Sequence, residues 1–279
     1  MWCAVLLISL GAAPTPEVQV SGTLREAQTE NFRVSSPGNP DARAVGKLCE
    51  AWRTHLRTTW SPQQETLIWS AKCEVVVHAS QGSYAAAVGR GAERTAGSSL
   101  IDFKDKQVSL RRIDLLAEGG RGLAALPHEL THVVLADLFG GRQPPRWADE
   151  GLAMLGDSQE KQKLHQQDLE AAFDQGLHFR AVDLMTMRGY PQPHRMGAFY
   201  GQSASMTAYL AHRDEPAKFV TFIRGSMEKG YDQALRDVYA IDGVAELERL
   251  WSADRQGAIA FHGMRLALDD ETLRRVNLP

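Results

Sequence analysis

No stretch of this chain stays apolar for the roughly 20 residues that a membrane-crossing helix needs, so no transmembrane span is expected. Charge of one sign is missing too. The chain has 31 Lys and Arg against 34 Asp and Glu, a formal net charge of −3. No basic patch suited to nucleic acid stands out. The pairs Arg111-Arg112 and Arg274-Arg275 read as solvated faces or partners of acids. Cysteine is scarce: Cys3, Cys49 and Cys73 are the three in the chain. Cys49 and Cys73 have no neighbouring His or Cys at ligand spacing, which excludes them from a metal site. There is no internal repeat and no low-complexity tract, which excludes a solenoid or array.

What is present is ordinary for a globular protein. With 279 residues, 43% hydrophobic and 23% charged, the chain can bury a sizeable core in one domain or two close subdomains. The N-terminus carries one special signal. Ala4 to Leu10 is apolar apart from Ser9, and the small residues Gly11-Ala12-Ala13 follow. Residues 1–20 read as a secretory signal or N-terminal apolar segment, cut near Ala13 or a few residues later. Two features run against it: the first Lys or Arg is Arg25, and Pro14 is a poor residue after a cut. Export, to a periplasm or outside the cell, is the expected localisation. Loss of the segment removes Cys3 and leaves Cys49 and Cys73, as a bridge or as two buried thiols.

Residues 14–30 carry Pro, Glu, Gln and Thr and read as a linker. Phe32-Arg33-Val34 is a short strand before the turn Ser36–Pro40. From Asp41, a candidate cap, to Thr59, apolar Val45, Leu48, Trp52 and Leu56 recur at helical spacing. Ser61-Pro62 ends that helix. Cys73 to His78 is a strand, with His78 structural, and Tyr84 to Val88 is a short helix. Ser98–Phe103 and Gln107–Arg112 read as two strands joined at Lys104-Asp105-Lys106. From Leu123 to about Arg255 the pattern is helical. Breaks fall at Gly140, Gly176, the Gly189–Pro193 loop, Asp214-Glu215-Pro216 and Gly230. The tail after Gly257 fits strand or helix equally.

One pentad carries chemistry. His128-Glu129-Leu130-Thr131-His132 is an HExxH. On a helix, residues four apart stack on one face, about 5–6 Å between Cβ atoms. Two imidazoles so placed can close on one Zn²⁺, and Glu129 is then free to take a proton from a metal-activated water. Apolar Leu130, Val133, Val134, Leu135 and Leu138 supply the helical period. Pro127 is tolerated in a first turn, which puts the helix start near Ala124 or Ala125. Gly140-Gly141 is the stop.

A catalytic zinc takes three protein ligands and keeps one position open. Glu150 lies 18 residues after His132, in Pro145-Arg146-Trp147-Ala148-Asp149-Glu150-Gly151-Leu152-Ala153. This run resembles the third-ligand helix, W-x-x-E-G-x-A, of the gluzincin metallopeptidases. Leu126–Val134 is similar to the active-site helix of peptidase MA-like domains. The blocks Glu30–Val34 and Phe199–Ala204 are similar in pattern, so that the likeness spans roughly residues 28–255. The resemblance implies that His128, His132 and Glu150 are the zinc ligands and Glu129 the general base. It implies that Gly151 lets another backbone come close. It also implies a strand beside the cleft whose edge pairs with extended substrate, with Gln107–Arg112 as the candidate. Where the thermolysin branch has an aspartate four residues past the third ligand, this chain has Met154. Asp149 and Asp157 are the remaining candidates to orient a ligand histidine.

Tyr200 is the candidate catalytic donor to the oxyanion, by resemblance, with His194 a weaker one. His165, His178, His212 and His262 read as surface or structural. Met185, Met187 and Met196 read as core filling. The fold expected is α+β. An N-terminal mixed α/β subdomain (about 28–140, within a domain of 21–279) carries a small sheet. A helical subdomain (141–279) follows, with the zinc site in the cleft between. The function expected is a zinc metallopeptidase hydrolysing peptide bonds through a zinc-activated water. The alternatives are an exported zinc-binding module with little or no peptidase activity, and a metal-free helical interaction protein.

Overall fold

A computed structural model of the chain describes residues 24–63, 68–254 and 266–272. The expected signal segment, Cys3, Arg274-Arg275, His262 and nearly all of the tail after Gly257 lie outside the described residues. The fold is α+β, and it divides into two compact units. The first draws on residues within 1–55, 65–141 and 268–279, the second on residues within 56–64 and 142–267.

Alternating burial builds the sheet of the first unit. In β2 (Phe32–Ser36) and β3 (Cys73–His78) every second side chain is buried, as a period of two requires. With β1 (Arg25–Gln28), β4 (Gly97–Lys104) and β5 (Gln107–Leu116) they form one sheet in the order β1-β2-β3-β5-β4. The central pairs β2–β3 and β3–β5 are parallel, and the outer pairs are antiparallel. β1 falls inside the expected linker. Its side chains are nearly all exposed. Backbone pairing to β2 makes it a strand, and hydropathy carries no trace of that.

The β4–β5 connection is a two-residue turn. Asp105 and Lys106 both take positive φ, 52° and 62°, the backbone of a type I′ hairpin. The candidate substrate strand, Gln107–Arg112, forms the first part of β5, which lies between β3 and β4. β4 is the edge strand of the sheet, and Arg112–Leu116 of β5 pair with β3 on their other side. Residues Gln107–Arg111 belong to the hairpin tip, since Lys104 pairs with Gln107 while Gly97 pairs with Leu115.

α2 (Gln81–Val88) and α3 (Arg121–Leu138), described below, pack on the sheet. α1 (Ala42–Trp60) begins in this unit, with Asp41 Oδ1 accepting from the Arg43 and Ala44 amides at 3.0 and 3.1 Å. The expected stripe Val45, Leu48, Trp52 and Leu56 is buried. Glu50 ties α1 to the turn before β2, accepting from Thr29 Oγ1, the Asn31 amide and Asn31 Nδ2 at 2.7, 2.7 and 2.9 Å. α2 (Gln81–Val88) starts with a Ser80–Ser83 capping box. Its Tyr84 packs with Ala92, Ala96 and Leu116. His78 is structural, as expected: its Nε2 lies 2.7 Å from Asp114 Oδ1 in a buried pair that Arg112 completes at 2.8 Å. Burial raises the Asp114 carboxyl, but the bonds from His78 and Arg112 outweigh it and hold the group below the ordinary carboxylate range.

In the second unit, α4 (Arg146–Met154), α5 (Gln159–Asp174) and α8 (Ala217–Lys229) pack on α7 (Met196–His212), while α6 (Ala181–Met185) packs on α4 and α10 (Val244–Ala253), and α9 (Tyr231–Tyr239) on α8 and α10. α7 is buried from Ala198 to Ala208. Small residues set its crossings. A Cβ on Gly201 would stand 2.5 Å from the His165 carbonyl oxygen of α5. Two buried polar groups of α7 find partners inside the unit. Gln202 accepts from the Phe179 amide at 2.8 Å and donates to its carbonyl at 2.6 Å, and Trp251 Nε1 donates to Ser205 at 3.0 Å. Met185 is buried, and Met187 and Met196 are half-buried. Among the described residues no helix is long and apolar enough to cross a membrane.

Candidate metal centre

α3 (Arg121–Leu138) carries the pentad. It starts before the expected Ala124 or Ala125, so Pro127 lies beyond the first turn. Tertiary packing explains the extra turn. Gly122 rests on the Leu116 backbone, where a Cβ would come within 2.5 Å of the carbonyl oxygen. Past the proline, Thr131 Oγ1 donates back to the Pro127 carbonyl at 2.8 Å. The far end of α3 is anchored as firmly. Asp137 accepts from Arg111 Nη2 and, at 2.5 Å, from Trp69 Nε1. Arg53 and Arg111 stack over the Trp69 ring at 4.5 and 4.6 Å. Gly141 closes the helix with φ 71°, its backbone against Lys106 at the hairpin tip. Arg111 and Arg112 are thus both partners of acids, one of the two readings open from sequence.

His128, Glu129 and His132 are all buried on this fixed helix. The two imidazoles are neighbours, ring centroids 5.0 Å apart, as the four-residue spacing requires. Glu129 reaches the sheet. A Cβ on Gly97, the first residue of β4, would stand 2.8 Å from Glu129 Cγ, 3.0 Å from its Oε1 and 2.9 Å from Ala125 Cβ. β4 can lie against the glutamate because its first residue has no side chain. Sequence reasoning missed Gly97. Its signal was a Gly-Ser-Ser start to a strand, which marks a close approach only when the partner is known.

α4 positions Glu150, which is fully buried. Trp147 holds the helix down: it is fully buried, packs edge-on to Phe219 at 5.9 Å, and donates from Nε1 to the Tyr231 hydroxyl at 3.1 Å. The Tyr231 hydroxyl donates in turn to the Met185 carbonyl at 2.8 Å, and burial pushes its pKa up to about 12. Gly151 acts as the resemblance implies. A Cβ there would meet Thr207 Oγ1 at 2.1 Å and the Ser203 carbonyl oxygen at 2.6 Å, so α4 lies directly on α7.

Tyr190 was not foreseen. It stands in the Gly189–Pro193 loop, which in sequence is only a break between helices. Its hydroxyl donates to Glu150 Oε1 at 2.6 Å. Burial of the hydroxyl and the Glu150 charge beside it raise the phenol pKa, so it stays a donor. The Arg146 guanidinium lies over its ring at 4.5 Å. Tyr200, on α7, is buried in the same aromatic group, 6.3 Å from the Tyr190 ring and 6.0 Å from His165.

His194 is exposed in the turn Pro193–Arg195, and His178 and His212 are exposed. Asp157 accepts from Lys161 at 2.9 Å and lies 3.4 Å from His165. Asp149 is buried in the first turn of α4, and Met154 is buried at its end. Cys49 and Cys73 are free, fully buried thiols, the second of the two states left open from sequence.

The structure brings His128, His132 and Glu150 together: one ligand atom from each, and all within 4.8 Å of one another. A buried group of two imidazoles and a carboxylate is one that could hold a metal ion. Comparison with known proteins finds no family model and no curated protein that matches the chain.

Proposed function

We propose that this chain is an exported zinc-dependent metallopeptidase, gluzincin-like, that hydrolyses peptide bonds. The observation that carries the reading is the buried convergence of His128, His132 and Glu150. The donor set fits zinc, which takes imidazole nitrogen and carboxylate oxygen in catalytic sites. Tetrahedral donors about 2.0–2.1 Å from a zinc ion are roughly 3.4 Å apart, so modest side-chain rotation closes the observed group around one. Held there, zinc would supply Lewis acidity to water and to the scissile carbonyl.

The chain's own residues supply the rest. Glu129 takes the proton from the attacking water and passes it to the leaving amine. Its packing against Gly97 limits where the carboxylate can swing. Tyr190 holds one oxygen of Glu150, which restricts the carboxylate's rotation. Tyr200 remains the candidate donor to the oxyanion, on the strength of the resemblance.

The test is elemental analysis for zinc, paired with digestion of a broad peptide library with and without chelator. Glu129→Gln should keep zinc and lose about 10²–10⁴-fold in rate, the usual worth of general acid–base assistance. A glutamine variant that digests peptides as fast as the native enzyme would remove Glu129 from the mechanism. Zinc bound with no turnover by either form would favour a binding module.

A further inference from the structure

Arg146 opens α4, one helical turn before Glu150. Its guanidinium stacks on Tyr190, and Tyr190 donates to Glu150. Arg111 is ion-paired with Asp137 and donates to the Ala71 carbonyl, and Arg112 is paired with Asp114. Arg146 differs. Among the described residues it forms no ion pair, and its Nε and Nη1 are buried without a hydrogen-bond partner. Unmade buried donors are costly even on a half-buried cation. Glu150, one helical turn on, already accepts from Tyr190, and in the proposed centre its charge is shared with a divalent ion. Arg146 is then a cation without an ion pair of its own, linked to the proposed centre through Tyr190. Tyr190 is 37% exposed, so this corner is open to an incoming molecule.

A guanidinium is a planar fork of donors, shaped for a carboxylate. We propose that Arg146 binds a carboxylate of the peptide substrate, either its C-terminal carboxylate or an Asp or Glu side chain near the scissile bond. Arg146 is thus a specificity residue, and Tyr190 is the platform that sets its plane. This rests on the reading of the His128, His132 and Glu150 group as a peptidase centre.

Four pools of fluorescent octapeptides test it. They carry a free or amidated C-terminus, each with Asp and Glu present or replaced by Asn and Gln. kcat/KM is measured on each pool for the zinc-loaded native enzyme, Arg146→Met and Arg146→Lys, with zinc content and Tm recorded. The native enzyme should favour one kind of carboxylate by about 10- to 100-fold, the worth of a charged hydrogen bond. Loss of that preference on amidation identifies the C-terminus as the source, and loss on Asn/Gln replacement identifies the side chain. Arg146→Met should erase the preference between the carboxylate-bearing and carboxylate-free pools. If the Met variant has a lowered Tm, Arg146→Lys carries the test, since it keeps the charge but loses the fork and should lose several-fold in preference. No preference in the native enzyme, or an equal loss on all four pools in the variants, overturns the inference. If the native protein cleaves nothing, the peptidase reading fails separately. Binding of the same pools by fluorescence anisotropy then decides: a carboxylate preference lost in Arg146→Met upholds the assignment, and equal binding overturns it.

Discussion

Gly97→Ala adds one methyl group in the tightest gap beside the pentad. The new carbon would stand 2.8 Å from Glu129 Cγ, 2.9 Å from Ala125 Cβ and 3.0 Å from Glu129 Oε1. Carbon atoms pack at about 3.5–4.0 Å, so either Glu129 or β4 must retreat by roughly 0.6 Å or more. Ala125 blocks one escape, and β4 is held by its pairing with β5. Overpacking of this kind costs about 1–3 kcal/mol. For a chain of this size that is a fall in Tm of roughly 2–12 °C. The rate should fall further than stability alone accounts for. Displacing a catalytic group by about 1 Å can cost 10²-fold, while the proposed zinc ligands are not touched and zinc content should hold. Gly82→Ala is the control. It lies in α2 with an ordinary φ and only Ser80 Oγ near, at 3.8 Å, so it should be neutral or slightly stabilising. Thermal unfolding, zinc analysis and peptide hydrolysis read the three effects. A Gly97→Ala protein with native Tm and native turnover refutes the close approach of β4 to Glu129. The Tm arm decides that even if no substrate is found.

Three further outcomes are expected. Glu150→Ala should lower zinc occupancy strongly, because two imidazoles leave the ion undercoordinated, and full retention by elemental analysis would remove Glu150 from the centre. The depressed Asp114 pKa means that its stabilisation is present above the unfolded aspartate value, about 3.9, and is lost as pH falls through the folded value. Asp114→Asn should therefore be less stable at pH 7 by roughly 1–3 kcal/mol, with the gap closing in acid, and parallel urea-denaturation curves at pH 7 and pH 3 would contradict this. Cys49 and Cys73 should resist alkylation in the folded protein, because burial raises both thiols and the thiolate is the reactive form. Both should label on unfolding without reductant, and failure to label would reveal a bridge.

The sequence alone was enough for whatever depends on neighbours along the chain. The helix through His128 and His132 follows from apolar residues at helical spacing, and that helix makes the two imidazoles adjacent. The stripe of α1, the strands β2 and β3, and the run of helices after Leu123 were legible for the same reason: a side chain's burial there repeats with the local backbone period. Other features depended on which segments meet. β1 has exposed side chains and is a strand only because β2 pairs with it. α3 begins earlier than Pro127 suggests because Gly122 fits against Leu116. β4 is the outer strand because parallel pairing with β3 takes the other side of Arg112–Leu116 of β5. Gly97 beside Glu129 and Tyr190 on Glu150 join residues 32 and 40 positions apart. No periodicity encodes such pairs, because packing and hydrogen bonding select them only once the elements are in contact.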